Sequence, residues 1–305
     1  MAAAGGESIA FLHEFRAPPY GGGNQFLLAL RAECERRGVR VGSRISASTR
    51  VVLFNSHHGD PSALREARRR GIRVVHRVDG PIRGYRGRDD GTDLRIQAIN
   101  AEVADATVFQ SEFSREAHRE LGLTFHAPTV IPNAADPILF HPGPARPHRR
   151  PLRVIATSWS DNPRKGGAVY GWLDRHLDPA TIQFTFVGRL SASLSCSVVK
   201  PPMASGELAD ELRQHDVYLT ASEDDPCSNA LIEGLTCGLP AIFRRSGGHP
   251  ELVRGAGIAF DQPEELPMAL ARMAEEYEAF RLQLAPPRLA DVTTAYLRVM
   301  GVGAG

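Results

Sequence analysis

Cysteine, net charge and long apolar runs are all scarce in this chain, and each scarcity removes a class of protein. Four cysteines (Cys34, Cys196, Cys227 and Cys237) among 305 residues show neither CxxC spacing nor a regular framework, so free thiols are expected rather than a disulfide scaffold. No apolar stretch approaches the ~20 residues that a membrane-spanning helix requires. Lysine plus arginine (36) balance aspartate plus glutamate (35) to a net charge of +1, which leaves no global field to draw the chain toward nucleic acid. The opening MAAAGGES has neither the basic nor the long apolar region of a secretory leader, so a cytoplasmic location is expected.

What is present is the composition of a soluble globular protein, 42% hydrophobic. The length suits two domains of roughly 150 residues each. Short apolar runs recur at Ser8-Ile-Ala-Phe-Leu, Arg50-Val-Val-Leu-Phe-Asn, Ile72-Arg-Val-Val-His and Ala106-Thr-Val-Phe-Gln, separated by helical patterns at 25–37, 61–70 and 94–103. Alternating strands and helices predict a parallel sheet covered on both faces. The Pro/Arg-rich run from His141 to Pro151 reads as a linker and sets the expected domains at 1–145 and 146–305. A second α/β cycle follows with strands near 152–157, 183–188 and 216–220, and helices over 264–281 and 289–300.

The most informative stretch runs from Ser222 to Val253. Glu223, Asp224 and Asp225 precede a short helix for which Ser228 or Asn229 is the N-cap, and Cys237-Gly238 is its stop. A loop at Ser246-Gly-Gly-His-Pro follows a short apolar strand. Helix N-termini favour anions, whereas carboxylates suit hydroxyls, so this unit fits a ligand that is anionic at one end and hydroxyl-rich at the other.

Four segments, in order, resemble the retaining, nucleotide-sugar-dependent glycosyltransferases of the GT-B fold. They are Gly21-Gly-Gly-Asn after the first strand, Val130-Ile-Pro-Asn-Ala-Ala-Asp-Pro at the end of the first half, Thr157-Ser-Trp-Ser-Asp-Asn-Pro-Arg-Lys-Gly-Gly, and the acidic stretch itself. The resemblance implies two Rossmann-like domains facing each other across a cleft, the first for the acceptor and the second for the donor. It also implies that the terminal helix crosses back to the first domain. The family's E-x7-E motif is here D-x7-E: Asp225 takes the place beside the transferred sugar and Glu233 the place beside the ribose, with Glu223 near enough to compensate for the shorter acid.

The implied diphosphate ligands are Lys165 with Arg164 or Arg189, because Ser160 stands where the family has an arginine. Ser228, Asn229 and Gly248 complete the donor contacts, and Gly21, Gly22, Gly23 and Asn24 form the glycine loop near the acceptor, Asn24 also capping the next helix. Asp79 stands where the family places a catalytic histidine, with His76 three residues earlier. No cofactor or metal is implied, the nucleoside diphosphate sugar being a co-substrate.

The residues leave alternatives open. Arg164 and Lys165 read equally as a solvated turn, the three acids as a solvated loop, and Asp79 as a turn residue. His57 and His58 lack the spacing of a metal site, Cys227 and Cys237 read as packing residues, and His249 as near the donor or simply exposed. Arg83, Arg86 and Arg88 either meet an anionic acceptor or are solvated. The acceptor class is a sugar, glycolipid or small metabolite. The rival functions are a non-catalytic nucleotide-sugar-binding protein and a nucleotide-sugar epimerase.

Overall fold

The computed structural model describes residues 8–16, 21–144 and 151–303. The chain divides into two compact units, one of residues 1–16, 27–133 and 289–305 and the other of 17–26 and 134–288.

Unit 1 holds strands β1 (Ser8–Leu12), β2 (Arg40–Gly42), β3 (Thr49–Asn55), β4 (Arg73–Val78), β5 (Ala106–Phe109) and β6 (Pro128–Val130). They form one sheet of order β2-β1-β3-β4-β5-β6, parallel throughout. Such strands are buried on both faces and read as unbroken apolar runs. In β3 every residue except Arg50 is buried. Helices α1 (Gly22–Arg36, of which residues 27–36 fall in this unit), α2 (Pro61–Arg69), α3 (Ile82–Arg86), α4 (Thr92–Val103) and α5 (Glu112–Glu120) connect the strands. Leu27, Leu30 and Cys34 make the buried stripe of α1 at helical spacing.

The last helix, α12 (Leu289–Met300), also belongs to unit 1. Arg37 fastens it through Nη2 to the Ala290 carbonyl (2.7 Å) and Nη1 to Thr294 Oγ1 (2.8 Å), while Arg73 Nε reaches the Val299 carbonyl (2.9 Å).

Unit 2 repeats the plan with β7 (Leu152–Ser158), β8 (Ile182–Gly188), β9 (Val198–Lys200), β10 (Val217–Thr220), β11 (Ala241–Arg244) and β12 (Gly257–Phe260) in the order β12-β11-β10-β7-β8-β9. Its helices are α6 (Gly167–His176), α7 (Ser205–Leu212), α8 (Asn229–Thr236), α9 (His249–Val253), α10 (Leu266–Glu275) and α11 (Tyr277–Leu282). One core lies on each face of the sheet: Ile155, Tyr218, Leu231, Leu235 and Phe243 on one side, and Val154, Tyr170, Phe184, Phe186 and Met273 on the other. Each fully buried side chain of this kind contributes about 1.5–3 kcal/mol relative to exposure.

Several expectations need correction. The helix expected at 25–37 begins at Gly22, because the Gly21 carbonyl accepts from Asn24 N (3.1 Å) and Gln25 N (3.3 Å), closing a turn over the glycines. Gly22 and Gly23 are therefore helical, and Asn24 lies inside the first turn instead of capping it. The rest of the expected loop, 17–20, is outside the described residues. The boundary between units falls at 133/134, since Ala135 and Phe140 pack into the core of unit 2 beside Leu212 and Cys237. Of the expected linker, 145–150 lie outside the described residues. The helix expected over 264–281 breaks at Glu276 (φ −103°, ψ 16°) into α10 and α11, after a 3₁₀ turn at Pro263–Glu265. The loop expected before Glu251 contains α9, five residues long with a proline in its first turn.

Candidate donor and acceptor sites

In an open parallel sheet, ligands collect at the carboxyl ends of the strands where the strand order reverses. In unit 2 that switch lies between β7 and β10, and the loops leaving these two strands carry Lys165 and Asp225. Lys165 Nζ donates to Asp225 Oδ2 at 2.8 Å. The neighbouring acids are paired as well, Asp224 with Arg164 (2.5 Å) and Glu223 with Arg244 (2.9 Å). Three consecutive acids thus meet three cations, two from the turn after β7 and one from the end of β11, and Glu223 is engaged by Arg244.

Close backbone packing fixes the pair. Gly166, at φ +86°, follows Lys165 and lies so near Ala221 that a Cβ would sit 2.5 Å from its methyl and 2.7 Å from its carbonyl. On the other side, Gly248 N donates to the Asp225 carbonyl (2.9 Å) and Cys227 N to Asp225 Oδ1 (3.2 Å). Burial pushes the Asp225 carboxyl upward, but Lys165, then His249 and the Cys227 N–H, outweigh it and hold the group below its ordinary range. His249 is wholly buried, its ring between Ser222 Oγ (3.1 Å) and the Arg244 carbonyl (3.0 Å), so it is no exposed loop residue. Burial keeps its ring below the ordinary histidine range despite Asp225.

Helix α8 begins immediately after this loop. Ser228 is its N-cap, accepting from Leu231 N (3.3 Å), and Asn229 its first residue. Gly22 meets Asn229 so closely that a Cβ there would lie 2.6 Å from Nδ2, which is why a glycine is needed in that turn. Gly238, at φ +92°, ends the helix as expected. One turn in, Glu233 is partly buried beside Tyr218, and no cation pairs with it among the described residues; burial pushes its carboxyl up to about 8. An isolated carboxyl of this kind is a functional-site signal. Arg189 stands apart from the ion-pair ladder, its guanidinium 4.7 Å from the Trp159 ring centroid.

Unit 1 carries a second polar constellation, at the ends of β3, β4 and β5. Arg77, 0% exposed, donates through Nη1 to Asp79 Oδ1 (2.9 Å) and to Asn55 Oδ1, and through Nη2 to Asn133 Oδ1 (2.8 Å). Asp79 also accepts from Asn55 Nδ2 (2.9 Å) and from Gln110 Nε2, and Asn133 Nδ2 closes the ring onto Gln110 Oε1 (3.0 Å). Asp79 is therefore no turn residue. His76 lies beneath, stacked on Phe54 at 4.0 Å and bonded to the Ser56 carbonyl (2.9 Å) and Asn100 (3.0 Å); burial lowers it to about 3 and makes it a core residue. Sequence reasoning missed Arg77, Asn55, Gln110 and Asn133; a charged residue inside the apolar run of β4 was the available signal.

Arg83 pairs with Asp89 at 3.6 Å, Arg88 is exposed, and the side chain of Arg86 lies outside the described atoms. His57 and His58 are exposed, with ring centroids 4.1 Å apart. Cys227 and Cys237 are buried in the core of unit 2. Among the described residues no helix is long and apolar enough to cross a membrane.

Comparison with known proteins bears on the fold and on part of unit 2. Residues 175–276 match the family model "Glycosyl transferases group 1", a span that contains Arg189, Asp225, Ser228, Asn229, Glu233 and Gly248 but neither Lys165 nor Asp79. A search of curated proteins found no match. Among solved structures, sucrose-phosphate synthase from Thermosynechococcus elongatus superposes with a TM-score of 0.71 at 15% identity, covering 97% of this chain and 94% of that one. HepE from Anabaena in complex with UDP-glucose gives 0.68 at 14% identity, covering 97% and 96%. AviGT4, a glycosyltransferase involved in avilamycin A biosynthesis, gives 0.63 at 14%, covering 96% and 97%. The chain thus has the two-unit α/β fold of GT-B glycosyltransferases, and residues 175–276 of its second unit match the glycosyl transferases group 1 model.

Proposed function

We propose that the chain transfers a glycosyl group from a nucleoside diphosphate sugar to a hydroxyl-bearing acceptor, with retention of configuration and without a metal ion. Unit 2 takes the donor and unit 1 the acceptor. The observation that carries this reading is the Lys165–Asp225 pair at the switch point of unit 2, followed one helical turn later by the unpaired Glu233. HepE, a structural neighbour of the whole chain, is described with UDP-glucose and with UDP bound.

In this reading the diphosphate lies by Lys165 and Arg164 and the N-terminus of α8, the end of a helix that favours an anion. Negative charge grows on the leaving diphosphate during transfer, and preorganised donors and cations stabilise it at no reorganisation cost. Donor binding exchanges the acids now paired to Lys165 and Arg164 for phosphate oxygens. Asp225, released, accepts from hydroxyls of the transferred sugar, and Glu233 from those of the ribose. Asp79 faces the acceptor. Since Lys165 and Arg164 supply the charge, turnover is expected to survive exhaustive chelation with EDTA; a loss restored by added Mg²⁺ or Mn²⁺ overturns the metal-free part.

A thermal-shift screen of the common sugar nucleotides tests the donor site. One of them is expected to stabilise the wild type, and Glu233→Gln to weaken it about tenfold at pH 9, where the carboxyl is ionised, the worth of one hydrogen bond to a charged group. An unchanged shift removes Glu233 from the ribose. The same variant has a pH signature in the free protein. Because the folded-state carboxyl is raised from 4.5 to about 8, wild-type stability falls as pH rises through that window. Glu233→Gln should therefore raise Tm by a few degrees at pH 8 to 9, for ~1 kcal/mol, with the gain vanishing near pH 4.

A further inference from the structure

Three polar side chains in unit 1, Arg77, Asn55 and Gln110, converge on one carboxylate, Asp79, and the cation among them has no contact with solvent. Burying an arginine against a carboxylate seldom stabilises a fold, since apolar residues of the same volume serve as well or better. The rest of that face uses the apolar solution, with Val51, Leu53, Val75 and Val108 buried at the positions that share its side of the sheet. The arrangement of Arg77, Asn55, Gln110 and Asn133 instead fixes a geometry. Oδ1 of Asp79 is taken by Arg77 and Gln110, while Oδ2 accepts from Asn55 and belongs to a carboxylate left 33% exposed. A carboxylate has room for about four donors, so the Oδ2 edge can take another.

The backbone is held as firmly as the side chain. Ser114 Oγ from α5 donates to the Asp79 carbonyl (3.1 Å), and Asp93 from α4 accepts from Ile82 N (2.7 Å) and Arg83 N (3.0 Å) just beyond it.

We propose that Arg77 is a positioning residue: from inside unit 1 it aims the open edge of Asp79 at a hydroxyl of the acceptor, and Asn55, Gln110 and Asn133 keep Arg77 in that pose. The inference rests on the glycosyl-transfer reading above. Its ligand is an alcohol, a group that donates a hydrogen bond to an acceptor-only oxygen and then attacks the donor sugar. The C–O bond to the acceptor forms as the bond to the diphosphate breaks, and the hydroxyl proton leaves with the departing phosphate or to solvent.

A double-mutant cycle separates positioning from simple support of the fold. Arg77→Met, Asp79→Asn and the double variant are assayed for nucleotide release from the donor chosen by the thermal-shift screen, with D-glucose as alcohol and, separately, with water. Asp79→Asn is expected to lose about 100-fold, in the range for removing one group that contacts a transferring proton. Arg77→Met should lose nearly as much, and the double variant no more than Asp79→Asn alone, with donor affinity unchanged in all three. Multiplying losses, or donor affinity falling in step with turnover, overturns the positioning role. A wild type that binds the donor but releases nucleotide to neither alcohol nor water overturns the acceptor assignment. A wild type that binds no sugar nucleotide sinks the glycosyl-transfer reading instead. Should Arg77→Met fail to fold, Gln110→Leu takes its place in the cycle, with the same coupling to Asp79→Asn expected and additivity as the contrary result.

Discussion

Lys165→Met is expected to slow sugar-nucleotide turnover about 100- to 1000-fold, the usual cost of removing one preorganised group that stabilises developing charge. Donor affinity should fall much less, because α8 and Arg164 remain. The variant also leaves the Asp225 carboxylate, whose side chain is 11% exposed, without its cation. A fully buried pair loses about 3–5 kcal/mol when broken this way; with Lys165 itself 31% exposed, about 2 kcal/mol is the expected loss.

The pH dependence identifies the cause. In the wild type the Asp225 carboxyl is held below its ordinary 3.8, so its stabilisation is present above about pH 4 and is lost only as pH falls further. Without Lys165, burial dominates and the carboxyl rises, so acid unfolding of the variant should begin at a higher pH. Lys165→Met combined with Asp225→Asn should recover most of the stability and none of the turnover. A double variant as acid-sensitive as the single one would mean that Lys165 stabilises the fold through some other contact.

Gly166→Ala is expected to cost about 3 kcal/mol, the sum of a left-handed alanine and an overpacked contact. For a unit of this size that is a fall in Tm of about 6–12 °C. The new methyl would press on Ala221 and drive the Pro163–Lys165 turn away from β10. Lys165 would move with it, so turnover should fall along with stability. Gly206→Ala is the control: nothing lies within 4 Å of a Cβ there, and the residue is in α7. Alanine favours a helix over glycine by up to about 1 kcal/mol, so this change should leave Tm unchanged or slightly higher. Equal behaviour of the two variants would show that the Gly166 contact is dispensable.

These two loops show which parts of the molecule the sequence could disclose. Local signals were reliable: Ser228 caps α8, Gly238 stops it, and the apolar runs of β3, β4, β7 and β8 mark buried parallel strands. The candidate site was legible where its residues are contiguous, as in Asp225, Ser228 and Glu233. Pairings across the chain were not. Arg164 and Asp224 lie 60 residues apart, and Asn55, Arg77, Gln110 and Asn133 come from segments that meet only when β3, β4, β5 and the stretch after β6 line up. Helix α9 escaped notice for a different reason. The two glycines and the proline read as a loop, whereas Gly248 is the N-cap and Pro250 lies in the first turn, a place proline favours; His249 is held there by Ser222 and the Arg244 carbonyl. Glu233 drew attention as an acid inside an apolar helix, but its lack of any cation is a property of the packed unit.

The most direct measurement follows the anomeric proton of the bound sugar nucleotide by NMR while the protein turns it over with a hydroxyl acceptor present. Loss of the donor signal, release of free nucleoside diphosphate, and a glycoside of unchanged anomeric configuration are the predicted result, with Lys165→Met nearly silent. A donor signal that binding shifts but time does not diminish, or an isomerised sugar still attached to its nucleotide, would contradict glycosyl transfer and point to a binding protein or an epimerase respectively.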